Sequence, residues 1–319
     1  MVTVKGLVVF LLKLLVSGAC LYWVLSTADM DALVSAAASI GVAVLLVAVL
    51  LHVVSYLAGG LRWWLILRAL GADVSFNAVL PSYYMGVFFN NFLPSGFGGD
   101  VARSVQLYTR GISGVALVAS AILDRLVGFV SVILLGFVTA VTWPVNALGN
   151  LPLLVFGFSM LALAPGILLA FRPRAAQALG DRLSPHFPRT AAVVHRLPLL
   201  AAHRLLLVQS VGLSMLNQLL VVAVIWSCAR AMGIGIDFAV ATILVFLAFL
   251  TTALPISVGG LGVREGALVA LLGKMGYAAG LSVALSLVYV AILWMTAIPG
   301  AMVWLLQSRK PNPGRSANG

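Results

Sequence analysis

Long apolar segments separated by short polar gaps recur along the sequence. A hydrocarbon core of ~30 Å is crossed by a helix of roughly 20 apolar residues, and six segments approach or exceed that length. The pattern therefore predicts an all-α polytopic membrane protein with about six full transmembrane helices. The predicted spans are residues 7–25, 40–57, 115–142, 151–171, 205–229 and 281–306.

Two shorter apolar segments end in the same sequence pattern. Residues 78–92 lead into Leu93 to Arg103, and residues 238–253 lead into Leu254 to Arg264; both motifs read L-P-x-x-x-G-G-x-x-x-R. A short helix is predicted after each motif. Because backbone in lipid must satisfy its hydrogen bonds internally, these breaks predict two broken or re-entrant helical hairpins.

The order of elements is the same in the two halves of the chain. Each half reads span, span, broken hairpin, span, over half-repeats of about 1–142 and 151–306 within one membrane domain of residues 1–310. Residues 172–204 contain six arginines, which places this gap and both termini in the cytoplasm. The halves then have opposite orientation, as in inverted-repeat transporters. The tail, 311–319, is predicted to be disordered.

Composition excludes other classes of protein. Of 319 residues, 62% are hydrophobic and only 8% are charged, with a mean hydropathy of +1.14. The net charge of +11 comes from basic residues scattered between the apolar segments, so no basic face is available for nucleic acid. Arg62 and Arg68 flank a tryptophan pair, which is typical of an anchor at the cytoplasmic interface.

The two glycine motifs are candidates for an anion site. Gly98-Gly99 and Gly259-Gly260 can adopt positive φ and let backbone amides converge at the start of a short helix, where the helix dipole is positive. Arg103 and Arg264 could add a guanidinium to the same phosphate, and Asp100 is placed as an N-cap. Helix packing by the glycines and snorkelling by the arginines would explain a single motif. Packing alone would not explain why an arginine follows both glycine pairs at the same spacing.

Asp124 and Arg125 lie deep in a predicted span. Burying such a charge in a membrane costs ~2.5–3.5 kcal/mol on insertion scales, so both are expected to face a cavity or an opposite charge. We expect Asp124 to pair with Arg103 or Arg264. A helix that begins later, and leaves both residues at the interface, is the alternative.

Other polar residues within apolar segments have two readings. Asn90 and Asn91, like Asn217 and Gln218, could line a polar path or form interhelical hydrogen bonds. His52 could relay protons, although a packed histidine is more common. No metal-binding, cofactor or nucleophile pattern is found. The predicted substrate-binding residues are Asn91, Gly98, Gly99, Asp100, Arg103, Asp124, Arg125, Gly259, Gly260, Arg264 and Glu265.

At these residues the sequence resembles the flippase-like transmembrane family of the lysylphosphatidylglycerol synthetase region. The similarity extends from about Lys5 to Leu306. The second motif, with its trailing Arg264-Glu265, is the most specific part. The first motif, Arg62-Trp63 and the acidic-Arg-Leu step at Asp124-Arg125 are weaker alone.

The resemblance implies re-entrant helices around a lipid-accessible cavity and translocation of a polar-headed lipid across a bacterial inner membrane. The best-known relatives carry a cytoplasmic aminoacyltransferase domain, which this sequence lacks, so we expect a stand-alone member. The implied partners are a phospholipid, an aminoacylated lipid, a hopanoid or a glycolipid, and a lipid-synthesising enzyme.

Three functions are compatible with the sequence. The first is a non-enzymatic lipid translocase in which the glycine turns and arginines hold an anionic headgroup. The second is a non-transporting membrane partner that docks a lipid-modifying enzyme through residues 172–204. The third is a membrane enzyme in which Asp124 and Glu265 act as acid and base.

Overall fold

The architecture is helical throughout the part of the chain that the computed structural model describes, which is residues 30–92, 98–143, 145, 148–253 and 262–308, with the isolated residues 15, 18, 19, 22 and 26. The helices are α1 Met30–Ala38, α2 Val42–Ala69, α3 Phe76–Phe92, α4 Gly98–Tyr108, α5 Gly114–Thr142, α6 Leu151–Ala170, α7 Pro173–Leu183, α8 Pro188–Val194, α9 Leu197–Ala202, α10 Arg204–Ala231, α11 Phe238–Ala253, α12 Val263–Lys274 and α13 Ala279–Ser308.

Five of the six predicted spans are confirmed as helices long and apolar enough to cross a membrane: α2, α5, α6, α10 and α13. The predicted first span, residues 7–25, lies almost entirely outside the described residues. Helix α2 is longer than predicted, because it continues beyond residue 57 to Ala69. Its additional turns carry Arg62 into the interior of a long helix.

Two pairs of short helices flank the predicted breaks. Helices α3 and α4 pack on each other around the first break, and α11 and α12 do so around the second. The residues of the breaks themselves, 93–97 and 254–261, lie outside the described part. The helical arms on either side of both motifs therefore follow the prediction.

Helix contacts in the first half have counterparts in the second. Helix α2 contacts α3, α5 and α13, while α10 contacts α11, α13 and α5; α2 and α10 also pack directly on each other. Similarly, α3 contacts α13 and α11 contacts α5. This is the contact pattern that a two-fold inverted repeat requires. The repeat and its boundaries stay a prediction.

The turns that follow corresponding helices of the two halves are also alike. Helices α2, α4, α10 and α12 each end at a glycine with positive φ, where an L-residue would be strained. In each turn the amide that follows the glycine donates to a carbonyl five residues back in the helix. These glycines are Gly71, Gly111, Gly233 and Gly276, with φ of 82°, 90°, 76° and 86°.

The largest apolar core lies among α10, α11, α12 and α13, and smaller cores lie beside α2 and α5. Helix α6 buries only Pro152 and Phe156, whereas Leu154, Phe158 and Leu161 are more than 60% exposed. An outward apolar surface of this kind fits contact with lipid tails rather than water. Several polar and charged side chains are instead buried inside the bundle, among them Arg62, Arg103 and Asp124.

Candidate functional site

A cavity of about 310 Å³ lies among helices of both halves. Its wall is formed by α2, α3, α4 and α5 from the first half and by α10, α11, α12 and α13 from the second. A volume of this size is typical of a small-molecule site. Six of the predicted substrate-binding residues line it: Asn91, Asp100, Arg103, Asp124, Arg125 and Arg264.

Five side chains on one side of the cavity form a continuous series of ion pairs, which we call the arginine–aspartate ladder: Arg62, Asp124, Arg103, Asp100 and Arg125. The two oxygens of Asp124 accept from Arg62 Nε at 2.7 Å and from Arg103 Nη2 at 3.1 Å. The two oxygens of Asp100 accept from Arg103 Nη2 at 2.7 Å and from Arg125 Nε at 2.5 Å. Charges from α2, α4 and α5 are thereby joined.

Aromatic rings and a hydroxyl complete the surroundings of the ladder arginines. The guanidinium carbon of Arg103 lies 4.2 Å from the ring centroid of Trp63 and 5.5 Å from that of Tyr83, within the range of cation–π attraction. Arg62 Nη1 donates to Ser214 Oγ at 2.8 Å. Removing charges from water is costly, and only such multiple contacts offset the cost.

A second charged pair lies at the start of α12. Glu265 Oε1 accepts from Arg264 Nη2 at 2.7 Å and from Ser286 Oγ at 3.0 Å, and Glu265 Oε2 accepts from the backbone amide of Gly262 at 2.6 Å. Arg264 and Glu265 are 2% and 0% exposed. The guanidinium of Arg264 lies 5.9 Å from the ring centroid of Tyr289. This pair is therefore fixed by α13 as well as by its own helix.

The first glycine motif brings two helices into backbone contact. Gly98 and Gly99 are helical, not a turn of positive φ, and Gly99 packs on the carbonyl of Gly86 so closely that a Cβ would collide with it. The amide of Gly99 donates to Asn90 Oδ1 at 2.9 Å. Gly259 and Gly260 lie outside the described residues, so the predicted turn of positive φ at the second pair stays a prediction.

Several expectations about individual contacts can now be decided. The pairing of Asp124 with Arg103 is confirmed, and its pairing with Arg264 is wrong because Glu265 occupies that guanidinium. Asp100 lies within the first turn of α4 and binds arginines, so the predicted N-cap is wrong. The alternative of a helix that begins later is also wrong, since α5 begins at Gly114, ten residues before Asp124.

The four asparagine and glutamine residues with two readings all line the cavity, and Asn217 also forms an interhelical hydrogen bond. Asn217 Nδ2 donates to the carbonyl of Ser55 on the neighbouring helix at 2.6 Å, and Asn217 also lines the cavity. Asn91 Nδ2 donates to the carbonyl of Val87 on its own helix and lines the cavity as well. A substrate-binding role for these and the other predicted residues stays a prediction.

Arg62 was missed as a site residue. The prediction of an interfacial anchor is wrong for Arg62 and Trp63, which are 8% and 0% exposed, whereas Arg68 is exposed as an anchor would be. The available signal was the apolar stretch that continues from Leu65 to Leu67 after Arg62. An arginine with apolar sequence on both sides lies inside a span, not at its end.

His52 was considered as a relay and left out of the predicted site. It lines the cavity, is 2% exposed, and has ring neighbours in Tyr56 and Tyr289, with centroids 4.6 Å and 5.9 Å away. Neither ring nitrogen has a hydrogen-bond partner among the described residues. Within those residues, no group of three or more His, Cys, Asp or Glu side chains could hold a metal ion.

Comparison with known proteins identifies the family. The model of the lysylphosphatidylglycerol synthase transmembrane region matches residues 10–300. The chain belongs to this family. It is also similar to a UPF0104 membrane protein from Methanothermobacter thermautotrophicus, with 27% identity over 258 residues that cover 72% of this chain and 73% of the relative. Members of the lysylphosphatidylglycerol synthase transmembrane family are multi-pass membrane proteins, and so is this chain.

Proposed function

We propose that this member of the lysylphosphatidylglycerol synthase transmembrane family moves an anionic lipid headgroup between the leaflets of its membrane, which we place at the bacterial inner membrane with both termini cytoplasmic. The observation that carries the proposal is the set of four arginines on the wall of one cavity: Arg62, Arg103, Arg125 and Arg264. Ionisable residues within membrane helices are costly and commonly mark a substrate pathway.

The geometry suggests how the arginines would act. A guanidinium has five N–H donors, and the carboxylates of the ladder and Glu265 use only some of them. Three of the four arginine charges are thus compensated by carboxylates without a substrate, while donors remain for phosphate oxygens. Since the amides of Gly99 and Gly262 already donate to Asn90 and Glu265, we assign headgroup binding mainly to the arginines.

Access from the two leaflets is proposed to alternate between the halves. Supporting this, the cavity is bounded by helices of both halves, and α2 packs on α10 across the centre of the bundle. Rocking of one half against the other would expose the same arginines to each leaflet in turn. No nucleotide is needed for such a carrier, which would equilibrate lipid or follow a gradient.

The proposal is tested by reconstitution in liposomes with headgroup-labelled phosphatidylglycerol. We expect the label to cross faster than in protein-free vesicles, and Arg103→Ala and Arg264→Ala to slow the crossing about tenfold or more, because a charge-assisted hydrogen bond is worth about 1.5–3 kcal/mol. Arg174→Ala, on the exposed face of α7, is the matched control and should have no effect.

Size-exclusion chromatography before reconstitution separates loss of folding from loss of transport. Arg264→Ala is the more informative variant, because Glu265 keeps its contacts with Ser286 and the amide of Gly262. If no lipid crosses faster than in empty vesicles, or if both folded arginine variants match the Arg174→Ala control, the proposed function is wrong.

A further inference from the structure

The ionisable groups around the cavity are unequally distributed. The arginine–aspartate ladder has three guanidinium groups and two carboxylates, which leaves one positive charge in excess. Around α12 the pair Arg264 and Glu265 has no excess. When the ladder and the Arg264–Glu265 pair are counted together, the surplus therefore lies on the ladder side and amounts to one unit of charge.

No carboxylate in this set is available to a cationic group. Asp124 is held by Arg62 and Arg103, and Asp100 is held by Arg103 and Arg125. An ammonium group that entered the cavity could reach a carboxylate only by displacing a guanidinium from a buried ion pair. It would also have to lose its own hydration, which is costly for a charged group. The Nε of Arg103, in contrast, is buried without an acceptor among the described residues. The ladder thus accepts anions and repels cations.

The side of the cavity near His52 has a different chemistry. His52 is buried beside the rings of Tyr56 and Tyr289, and neither of its ring nitrogens has a partner among the residues that the structure describes. A neutral imidazole has one donor and one acceptor, which matches a hydroxyl group, itself both donor and acceptor. Aromatic rings beside such a group provide apolar surface for the carbon faces of a polyol or sugar.

The two sides are separated by more than a phosphate can bridge. His52 and Arg62 lie ten residues apart on the same helix, α2, and a rise of 1.5 Å per residue separates their α-carbons by roughly 15 Å. A ligand that fills both sides must therefore extend beyond its phosphate. The extension meets the imidazole and the tyrosine rings, and the carboxylate nearest to Tyr289, that of Glu265, is already paired with Arg264.

From this arrangement we infer that the cavity selects a lipid with a singly charged phosphodiester and a neutral, hydroxyl-rich headgroup of the polyol or sugar class, and rejects headgroups that carry an ammonium group. The inference rests on the proposed function in taking the cavity as the headgroup site. The ladder would bind the phosphodiester, and the His52 side would bind the hydroxyl groups.

The test is equilibrium displacement of fluorescent phosphatidylglycerol from the purified full chain in detergent. Phosphatidylinositol and phosphatidylglycerol should displace the probe at concentrations at least about tenfold lower than phosphatidylethanolamine and lysylphosphatidylglycerol, which is a difference of about 1.4 kcal/mol. Equal displacement by all four lipids, or stronger displacement by an ammonium-bearing lipid, would overturn the inference.

Replacing His52 separates hydrogen bonding from packing. His52→Phe keeps a ring between Tyr56 and Tyr289 but removes both nitrogens. It should lower the preference for phosphatidylinositol over phosphatidylmethanol, a monoanion without headgroup hydroxyls, about fivefold or more while leaving phosphatidylmethanol binding unchanged. The exposed His186→Phe is the matched control. Equal loss of both lipids in His52→Phe would assign the residue to packing and overturn its role.

Binding in detergent needs no transport, so the two proposals can fail separately. A chain that shows this selectivity but moves no lipid in liposomes would disprove the proposed function and leave the inference intact. A chain that moves lipids of every charge equally, without selective binding, would support the function and overturn the inference.

Discussion

Asp124 is the residue on which the charged site depends most. Its two oxygens accept from different arginines, Arg62 on α2 and Arg103 on α4, so that one carboxylate joins three helices. A buried ion pair contributes little net stability when it is intact, but removal of one partner leaves an uncompensated charge. Asp124 should therefore affect folding as well as any transport.

Replacing the carboxylate of Asp124 by an amide tests this dependence. Asp124→Asn leaves Arg62 and Arg103 buried with a surplus of positive charge and should lower the free energy of unfolding by about 3–5 kcal/mol. Unfolding in detergent, followed by temperature or denaturant, provides the measurement. Asp73→Asn, the same change at an exposed loop position, should leave stability unchanged. A similar loss in both variants would contradict the assignment.

At the level of elements, the contact between α3 and α4 depends on glycine. The carbonyl of Gly86 lies where a Cβ on Gly99 would have to be, and Asn90 lies against the same position. Backbone cannot rotate away as a side chain can, so this approach tolerates no larger residue. The glycine pair of the first motif thus has a structural role that is separate from any headgroup binding.

Gly99→Ala should separate the two helices and lower the free energy of unfolding by about 1–3 kcal/mol, the usual range for overpacking. The helical, exposed Gly212 has no atom within 4 Å of its would-be Cβ, so Gly212→Ala should be neutral or slightly stabilising. Thermal unfolding of both variants in one detergent compares them directly. Equal stability of the two variants would contradict a close contact at Gly99.

For the whole molecule, the proposed alternation requires elements of the two halves to move past each other. Gln106 on α4 donates through its side-chain amide to the side chain of Gln307 on α13, so the first hairpin and the last span touch at this point. Opening of the cavity on this side would break the contact between Gln106 and Gln307. A covalent link between these two positions should therefore prevent the cavity from opening.

A crosslink tests this movement. We expect Gln106→Cys with Gln307→Cys, in a background of Cys20→Ala and Cys228→Ala, to stop lipid crossing when treated with a cleavable bifunctional thiol reagent. Reduction should restore crossing, and each single cysteine variant should be unaffected by the reagent. An unchanged rate in the fully crosslinked protein would exclude motion between α4 and α13 from the mechanism.

Residues were harder to predict than elements. The spans could be located because apolar length is a local property of the sequence, and Asp124 and Arg125 could be singled out because charges within such a span are rare. The pairing of Asp124 with Arg103 could also be predicted, but its pairing with Arg62 could not, since Arg62 is distant in sequence from Asp124 and its helix extends beyond the predicted end. Glu265, one of the predicted substrate-binding residues, contacts Arg264, its neighbour in sequence.

The sequence alone determined that this is a helical membrane protein and located the pairs of short helices beside the two motifs, since both features follow from apolar length and from helix-breaking residues within it. Only the tertiary structure decided which charges meet, that Gly99 packs on Gly86, and that His52 lies on the same cavity as the arginines. Contacts of this kind depend on how α2, α4, α5 and α12 pack around one centre. No local pattern encodes that arrangement.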